Sequence, residues 1–270
     1  PTFRFTPAVE GLDASAILSA PYNEAETLAL LKSEYSDIRA AALHRLWANG
    51  YQGLPALLVE TFRTSDAPME RYTAFHLLEL LNGDEFRQIL PEALDDTYEF
   101  IRRQAVTKMG KVGDDNYLPL LLKIYDDDNM SARITFNVEN AMQGFSEEAL
   151  NKALCCRNDE GAQKLRKAFS RQTEDNKTIL DKNASPKWRK LYVRSLRNNP
   201  IHVTVPEYLA ILDDPAESED LKLTMLDALA WYTLSNRRPE IMAACEKIMN
   251  QPSASKAMKD AAKRTYNRLK

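Results

Sequence analysis

Ser36-Asp37-Ile38-Arg39-Ala40-Ala41-Ala42 is the stretch that decides the fold. Serine and aspartate ahead of an apolar-periodic run are residues that start helices, because their short side chains accept from unpaired backbone N–H groups. Counting from Ile38, small or apolar residues stand at offsets 0, 3, 4 and 8, at Ile38, Ala41, Ala42 and Leu46. That spacing is one face of an α-helix, and its alanines let a neighbouring helix approach closely. The helix ends at Gly50. Its opening pair then returns along the chain as Glu70-Arg71, Ile101-Arg102, Ala132-Arg133, Leu165-Arg166 and Leu221-Lys222. From Arg39 to Arg166 the basic members are 32, 31, 31 and 33 residues apart. A period near thirty marks stacked structural repeats, each of which buries its apolar side against the next.

Each of these helices follows another apolar helical stretch. Ala25, Leu28, Leu31 and Lys32 precede the first, Leu54-Pro55-Ala56-Leu57-Leu58 the second, Ile89 to Leu94 the third and Tyr117-Leu118-Pro119-Leu120-Leu121 the fourth. Leu-Pro in three successive first helices predicts a bent or late-starting outer helix, since proline lacks the N–H that a helix interior needs. The expected organisation is one continuous all-α solenoid of about eight helical hairpins. Residues 1–22, with Phe3, Phe5 and Pro7, show no helical period and read as an arm or linker remnant. Residues 23–145 form regular repeats one to four, and 146–199 the degenerate, basic repeats five and six. Residues 200–270 form repeats seven and eight, with a charged C-terminal cap. Ile201-His202-Val203-Thr204, bracketed by Pro200 and Pro206, reads as an irregular or extended linker.

Composition agrees with helix. Only eight glycines occur in 270 residues, 44% of which are hydrophobic, and Ala, Leu, Lys and Glu outweigh β-branched runs. No apolar stretch approaches the ~20 residues that span a bilayer. Cys155 and Cys156 are adjacent, which opposes ordinary bridging, and Cys245 is distant, so neither a disulfide framework nor a zinc site is expected. No cofactor is expected. The chain opens at Pro1 without a signal-like apolar core; the compartment stays open, the cytoplasm being favoured over a periplasmic or secreted location reached through a preceding signal segment. Net charge is −3, but residues 1–100 carry 7 basic and 16 acidic side chains while 152–197 carry 13 basic and 5 acidic. The chain is acidic at its start and basic past its middle.

The string Ser36 to Ala42, its echo Phe100-Ile101-Arg102-Arg103-Gln104-Ala105-Val106 and the Leu-Pro first helices resemble HEAT repeats of the armadillo-like class. The resemblance covers residues 23–145 clearly and the remainder weakly. It implies a right-handed α-α superhelix whose second helices line a concave face. It also implies that Asp37 caps its helix, and that Arg39, Arg71 and Arg102 bridge to neighbouring repeats. Glu70 and Ala132 depart from the family's Val or Ile, which loosens the register of repeats two and four.

Two groups of residues are candidates for recognition. Offsets 5 and 6 of the second helices give Leu43 and His44, then Phe75 and His76; the histidines, 32 residues apart, occupy equivalent places in adjacent repeats. With Arg103 they are the expected contacts of a concave peptide-binding face. Lys187, Trp188, Arg189 and Arg194 lie in the basic segment, where positive charge beside an aromatic suits an acidic protein segment or a nucleic acid. A second resemblance, to HEAT-like glycosylases for alkylated bases, would use Asp227 and Trp231, four residues apart on one helix face. Asp126-Asp127-Asp128-Asn129 has neither the glycine nor the glutamate of a calcium loop and reads as a turn. The sequence holds no Gly-rich phosphate loop, no Gly-x-Ser-x-Gly and no His-Glu-x-x-His. The expectation is therefore a non-catalytic protein- or peptide-binding scaffold, or the accessory domain of a longer protein, and not an enzyme.

Overall fold

The computed structural model describes residues 13–270, which are helical throughout with no strand among them. The arm residues Phe3, Phe5 and Pro7 lie outside the described residues. The helices are α1 (Ala14–Ser19), α2 (Glu24–Leu30), α3 (Ser36–Ala48), α4 (Leu54–Thr64), α5 (Pro68–Leu81), α6 (Asp84–Ala93), α7 (Glu99–Val112), α8 (Leu118–Tyr125), α9 (Ala132–Ala141), α10 (Glu147–Ala153), α11 (Glu160–Leu180), α12 (Pro186–Ser195), α13 (Val205–Asp213), α14 (Glu219–Leu229), α15 (Arg238–Asn250) and α16 (Lys256–Leu269). They fall into two compact units, divided within α7 between Arg102 and Arg103.

In the N-terminal unit α3 packs on α1, α2 and α5, and α4 packs on α5. Ile38, Ala41, Ala42 and Leu46 are all buried, as their offsets require. Phe75 stands 6.2 Å from the ring of Phe62 and 5.5 Å from that of Phe86, tying α4, α5 and α6 together. Residues 14–19, where the sequence shows no helical period, form a short helix capped by Asp13, whose carboxylate accepts from Ser15 N at 2.9 Å. Arg45, itself buried, fixes this helix by donating to the carbonyls of Ala20 and Pro21.

Arginines join successive hairpins. The Arg39 guanidinium grips the Glu70 carboxylate through Nε at 2.9 Å and Nη2 at 2.7 Å. Arg71 repeats the grip on Asp96, at 2.8 Å through each of two nitrogens. Glu70, at the place Ile38 and Ile101 hold in their helices, thus receives the preceding arginine. Arg102 does not reach onward within its unit; it donates to Asp96 O in its own inter-helix turn. The expected capping role of Asp37 is corrected. Tyr35 holds the cap position, and Asp37 only accepts from the next N–H, that of Ile38.

Proline sets the helix starts. Pro55, Pro68, Pro119, Pro186, Pro206 and Pro239 all sit in the first turn of their helices, where the absent N–H would have been unpaired anyway. Pro91 differs and lies inside α6, near its end.

In the C-terminal unit α8 packs on α9, α11 on α12, α12 on α14, and α14 and α15 on α16. One feature departs from strict neighbour-to-neighbour stacking. The carbonyls at the end of α7 are satisfied by residues far along the chain. His202 Nε2 donates to Gly110 O at 3.0 Å, Asn236 N to Val112 O at 2.9 Å and Asn236 Nδ2 to Gly113 O at 2.8 Å. Segment 201–204 is irregular, as the sequence predicts, but it is no linker: Ile201, His202 and Thr204 are buried. Gly113 has φ +71, and a Cβ there would lie 2.2 Å from the His202 ring. Gly144 meets Gly110 backbone to backbone; a Cβ on Gly144 would stand 2.1 Å from Gly110 O. The acidic stretch 126–129 is a turn in which Asp127 accepts from Asn129 N at 2.9 Å.

Candidate binding faces

Three faces carry the residues singled out by sequence, and each is set by helical register. In α3, α5 and the start of α7 the buried offsets leave a second stripe open, at −1, 2 and 6 from Ile38, Glu70 and Ile101. In the N-terminal unit this stripe holds Asp37, Ala40 and His44, then Met69, Tyr72 and His76, then Phe100. Offset 5 belongs to the core instead. Leu43 is fully buried and Phe75 nearly so, so Phe75 is corrected from a partner contact to a packing residue.

Along this stripe runs a groove of about 390 Å³. It is lined by Ala40, Ala41, Tyr72 and Thr73 with Leu18 of α1 and Met69 of α5, and Asp37 and His44 add polar groups. Leu18 and Met69 are exposed, at 51% and 42%. Tyr72 stacks on His76 at 6.1 Å between ring centres and meets Phe100 edge-on at 5.0 Å, and Tyr98 lies 6.1 Å from Phe100. A run of rings thus leads out of the groove. Burial holds His44 below the usual histidine range, and the charge of His76 adds to the effect. Tyr72, Met69 and Leu18 were missed by sequence reasoning, although offsets −1 and 2 of the same helices would have found the first two.

Arg103 belongs to the C-terminal unit and lines a hollow of about 450 Å³ with Thr107, Lys111, Phe136, Asn137, Asn140 and Asn198. Asn137 Nδ2 donates to Thr107 Oγ1 at 2.8 Å, and Phe136 is 61% exposed. Repeat four keeps its register from Ile134, not from Ala132: Ile134, Val138, Ala141 and Met142 are buried, which turns Phe136, Asn137 and Asn140 outward. That slip of two residues hid the hollow in the sequence.

The basic segment divides. Lys187, Trp188, Leu191 and Arg194 are exposed on α12, with Trp188 and Tyr192 rings 6.4 Å apart. Arg189, placed with them by sequence, is corrected. It is 5% exposed and bound to Glu217 through two bonds of 2.8 Å and to Ile179 O at 2.9 Å. Lys190 pairs with Asp220 at 2.5 Å, Lys182 with Asp214 at 2.6 Å, and Arg197 with Asp227. Much of the segment's positive charge is thus neutralised by α14 and the turn that precedes it. The glycosylase-like pair is occupied as well: Asp227 holds Arg197, and the Arg268 guanidinium covers the Trp231 ring at 3.6 Å.

No protein-family model matches the chain, and no curated protein does. Among solved structures it is similar to human deoxyhypusine hydroxylase in complex with glycerol, at 16% identity and a TM-score of 0.35, over 91% of this chain and 96% of that one. It is also similar to an engineered protein, at 13% identity and a TM-score of 0.35, over 90% of this chain and 77% of the other. The expectation of a chain that is not an enzyme is corrected: a hydroxylase stands among the similar structures, and at this TM-score the likeness assigns no activity to this chain, catalytic or otherwise. The motifs missing from the sequence mark particular reaction classes, and their absence excludes no activity.

Proposed function

We propose that the chain is a HEAT-type helical-repeat protein that binds a protein or peptide partner, and that the N-terminal groove seats an apolar or aromatic part of that partner. The observation that supports this reading is the row of exposed Leu18, Met69 and Phe100 with half-buried Tyr72 between them, beside His44. A monomeric surface rarely spends aromatic rings on water, whereas interfaces are enriched in Tyr, Phe and Met. Side chains on rigid helices meet a partner at little entropic cost. The exposed Lys187 and Arg194 beside Trp188 favour an acidic stretch in the same partner. No described helix is long and apolar enough to cross a membrane.

The test is selection of peptides from a random library on the immobilised full chain, followed by titration against Tyr72→Ala and Met69→Asp. Peptides selected by the wild type should lose tenfold or more in affinity on both variants, roughly the loss of one interface anchor. Equal binding to all three proteins would remove the groove from the proposal.

A further inference from the structure

After α10 the chain turns through Leu154, Cys155 and Cys156 before α11 begins. Cys156 has φ +66, a left-handed conformation that glycine adopts freely and a side chain with a Cβ resists. The two Sγ atoms lie 3.4 Å apart and both residues are exposed. The turn is held from outside the pair. Arg166 donates to Leu154 O at 2.9 Å and to Arg157 O at 2.8 Å, one carbonyl on each side of the cysteines. The Arg157 side chain is itself fixed by Asp126 and Asp159. None of these bonds uses either sulfur. Two thiols are thus presented side by side to solvent, on a backbone whose conformation a glycine would take more readily.

The sulfur separation lets one atom bond both sulfurs. It is longer than the ~2.05 Å of a disulfide. A centre bonded to each sulfur at about 2.3 Å, an ordinary metal–thiolate length, would subtend roughly 95° at this separation; a tetrahedral centre with the same bonds needs sulfurs about 3.8 Å apart. An angle close to 90° suits a trivalent, pyramidal centre carrying a lone pair. Ligand number points the same way. Among the described residues no group of three or more His, Cys, Asp and Glu could hold a metal ion, so a bound centre must bring its third substituent with it.

We propose that Cys155 and Cys156 form a dithiol site for monosubstituted trivalent arsenicals. Such a compound arrives with two hydroxyls on arsenic. Each As–O bond breaks as an As–S bond forms, each thiol proton leaves with a hydroxyl as water, and no electron is transferred. The product is a closed chelate across the turn, with the organic substituent facing solvent.

The experiment treats the full chain, kept reduced with a phosphine, with phenylarsine oxide and reads intact mass and free thiol count. The wild type should take up one arsenical, lose two titratable thiols, and release the adduct to a small dithiol but not to a monothiol. Cys155→Ser and Cys156→Ser should each weaken retention about 100-fold or more, because one As–S bond lacks the effective concentration of the chelate. Cys156→Gly, which suits the positive φ and removes the sulfur, should match Cys156→Ser and so separates loss of the ligand from strain in the turn. Cys245→Ser should leave uptake unchanged. Absence of an adduct on the wild type, wild-type retention in any of the Cys155 or Cys156 variants, or an adduct that requires Cys245 would each overturn the proposal.

Discussion

His202 Nε2 donates to the carbonyl of Gly110 at 3.0 Å, across 92 residues of chain. With Nε2 protonated, Nδ1 accepts from the Ser235 hydroxyl at 2.7 Å, so the neutral ring satisfies both partners. Burial pushes this histidine down to about 4. An unfolded histidine titrates near 6.5, so between these values the unfolded chain binds a proton that the folded chain refuses. Stability is therefore full above pH ~6.5 and falls by about 3 kcal/mol as pH drops toward 4. Urea midpoints at pH 7 and pH 4.5 should show this fall, and His202→Gln should flatten it while lowering stability at pH 7. A wild-type profile no steeper than that of the variant would exclude His202 as its source.

Charge pairs of the same chemistry should differ widely in worth. The Arg39 and Glu70 side chains are 20% and 6% exposed, those of Arg63 and Glu92 49% and 40%. Glu70→Ala strands a mostly buried guanidinium and should cost about 3 kcal/mol. Glu92→Ala should cost less than ~1 kcal/mol. Denaturant titration of the two variants distinguishes them, and equal losses would contradict the burial argument.

Gly113→Ala places a methyl group against the His202 ring and forces a left-handed alanine. A loss of at least ~2 kcal/mol is expected from strain and overpacking together. Thermal unfolding of this variant beside Gly50→Ala separates the two contributions, because Gly50 shares the positive φ but has open space around it. The Gly50 variant should lose only the conformational part, about 1 kcal/mol.

Within the basic segment, Arg189→Ala should destabilise by roughly 3 kcal/mol or more, since Glu217 would be left buried without its partner. Lys187→Ala and Arg194→Ala, on exposed side chains, should stay within about 0.5 kcal/mol. If these two exposed cations attract an acidic partner, their loss should weaken binding at low salt and leave it unchanged at high salt. Titrations at two ionic strengths read both effects.

Much of the fold was legible because repetition multiplies weak signals. Ile38, Ala41, Ala42 and Leu46 say little alone, but their echoes every thirty-odd residues fix helix, face and period together. The recognition surface was read less well for a geometric reason. Adjacent offsets on a helix are 100° apart, so choosing offset 5 put Phe75 on the face although it lies in the core, while offset 6 leaves His44 and His76 half-buried. Arg189 and Lys187 are indistinguishable as letters; only the position of Glu217 makes one structural and leaves the other free for solvent. His202 was read as part of a linker because its partners, Gly110 and Ser235, lie 92 and 33 residues away and no local pattern announces them.

Most of the described bridging cations precede their acids in sequence, whereas Arg157 and Lys247 follow theirs, Asp126 and Asp213. Arg39, Arg63 and Arg71 precede the carboxylates of Glu70, Glu92 and Asp96, and Lys182, Arg189 and Lys190 precede those of Asp214, Glu217 and Asp220, by 25 to 32 residues. At these six joints the cation is synthesised first and the bridge closes only when the following hairpin has been made and folded.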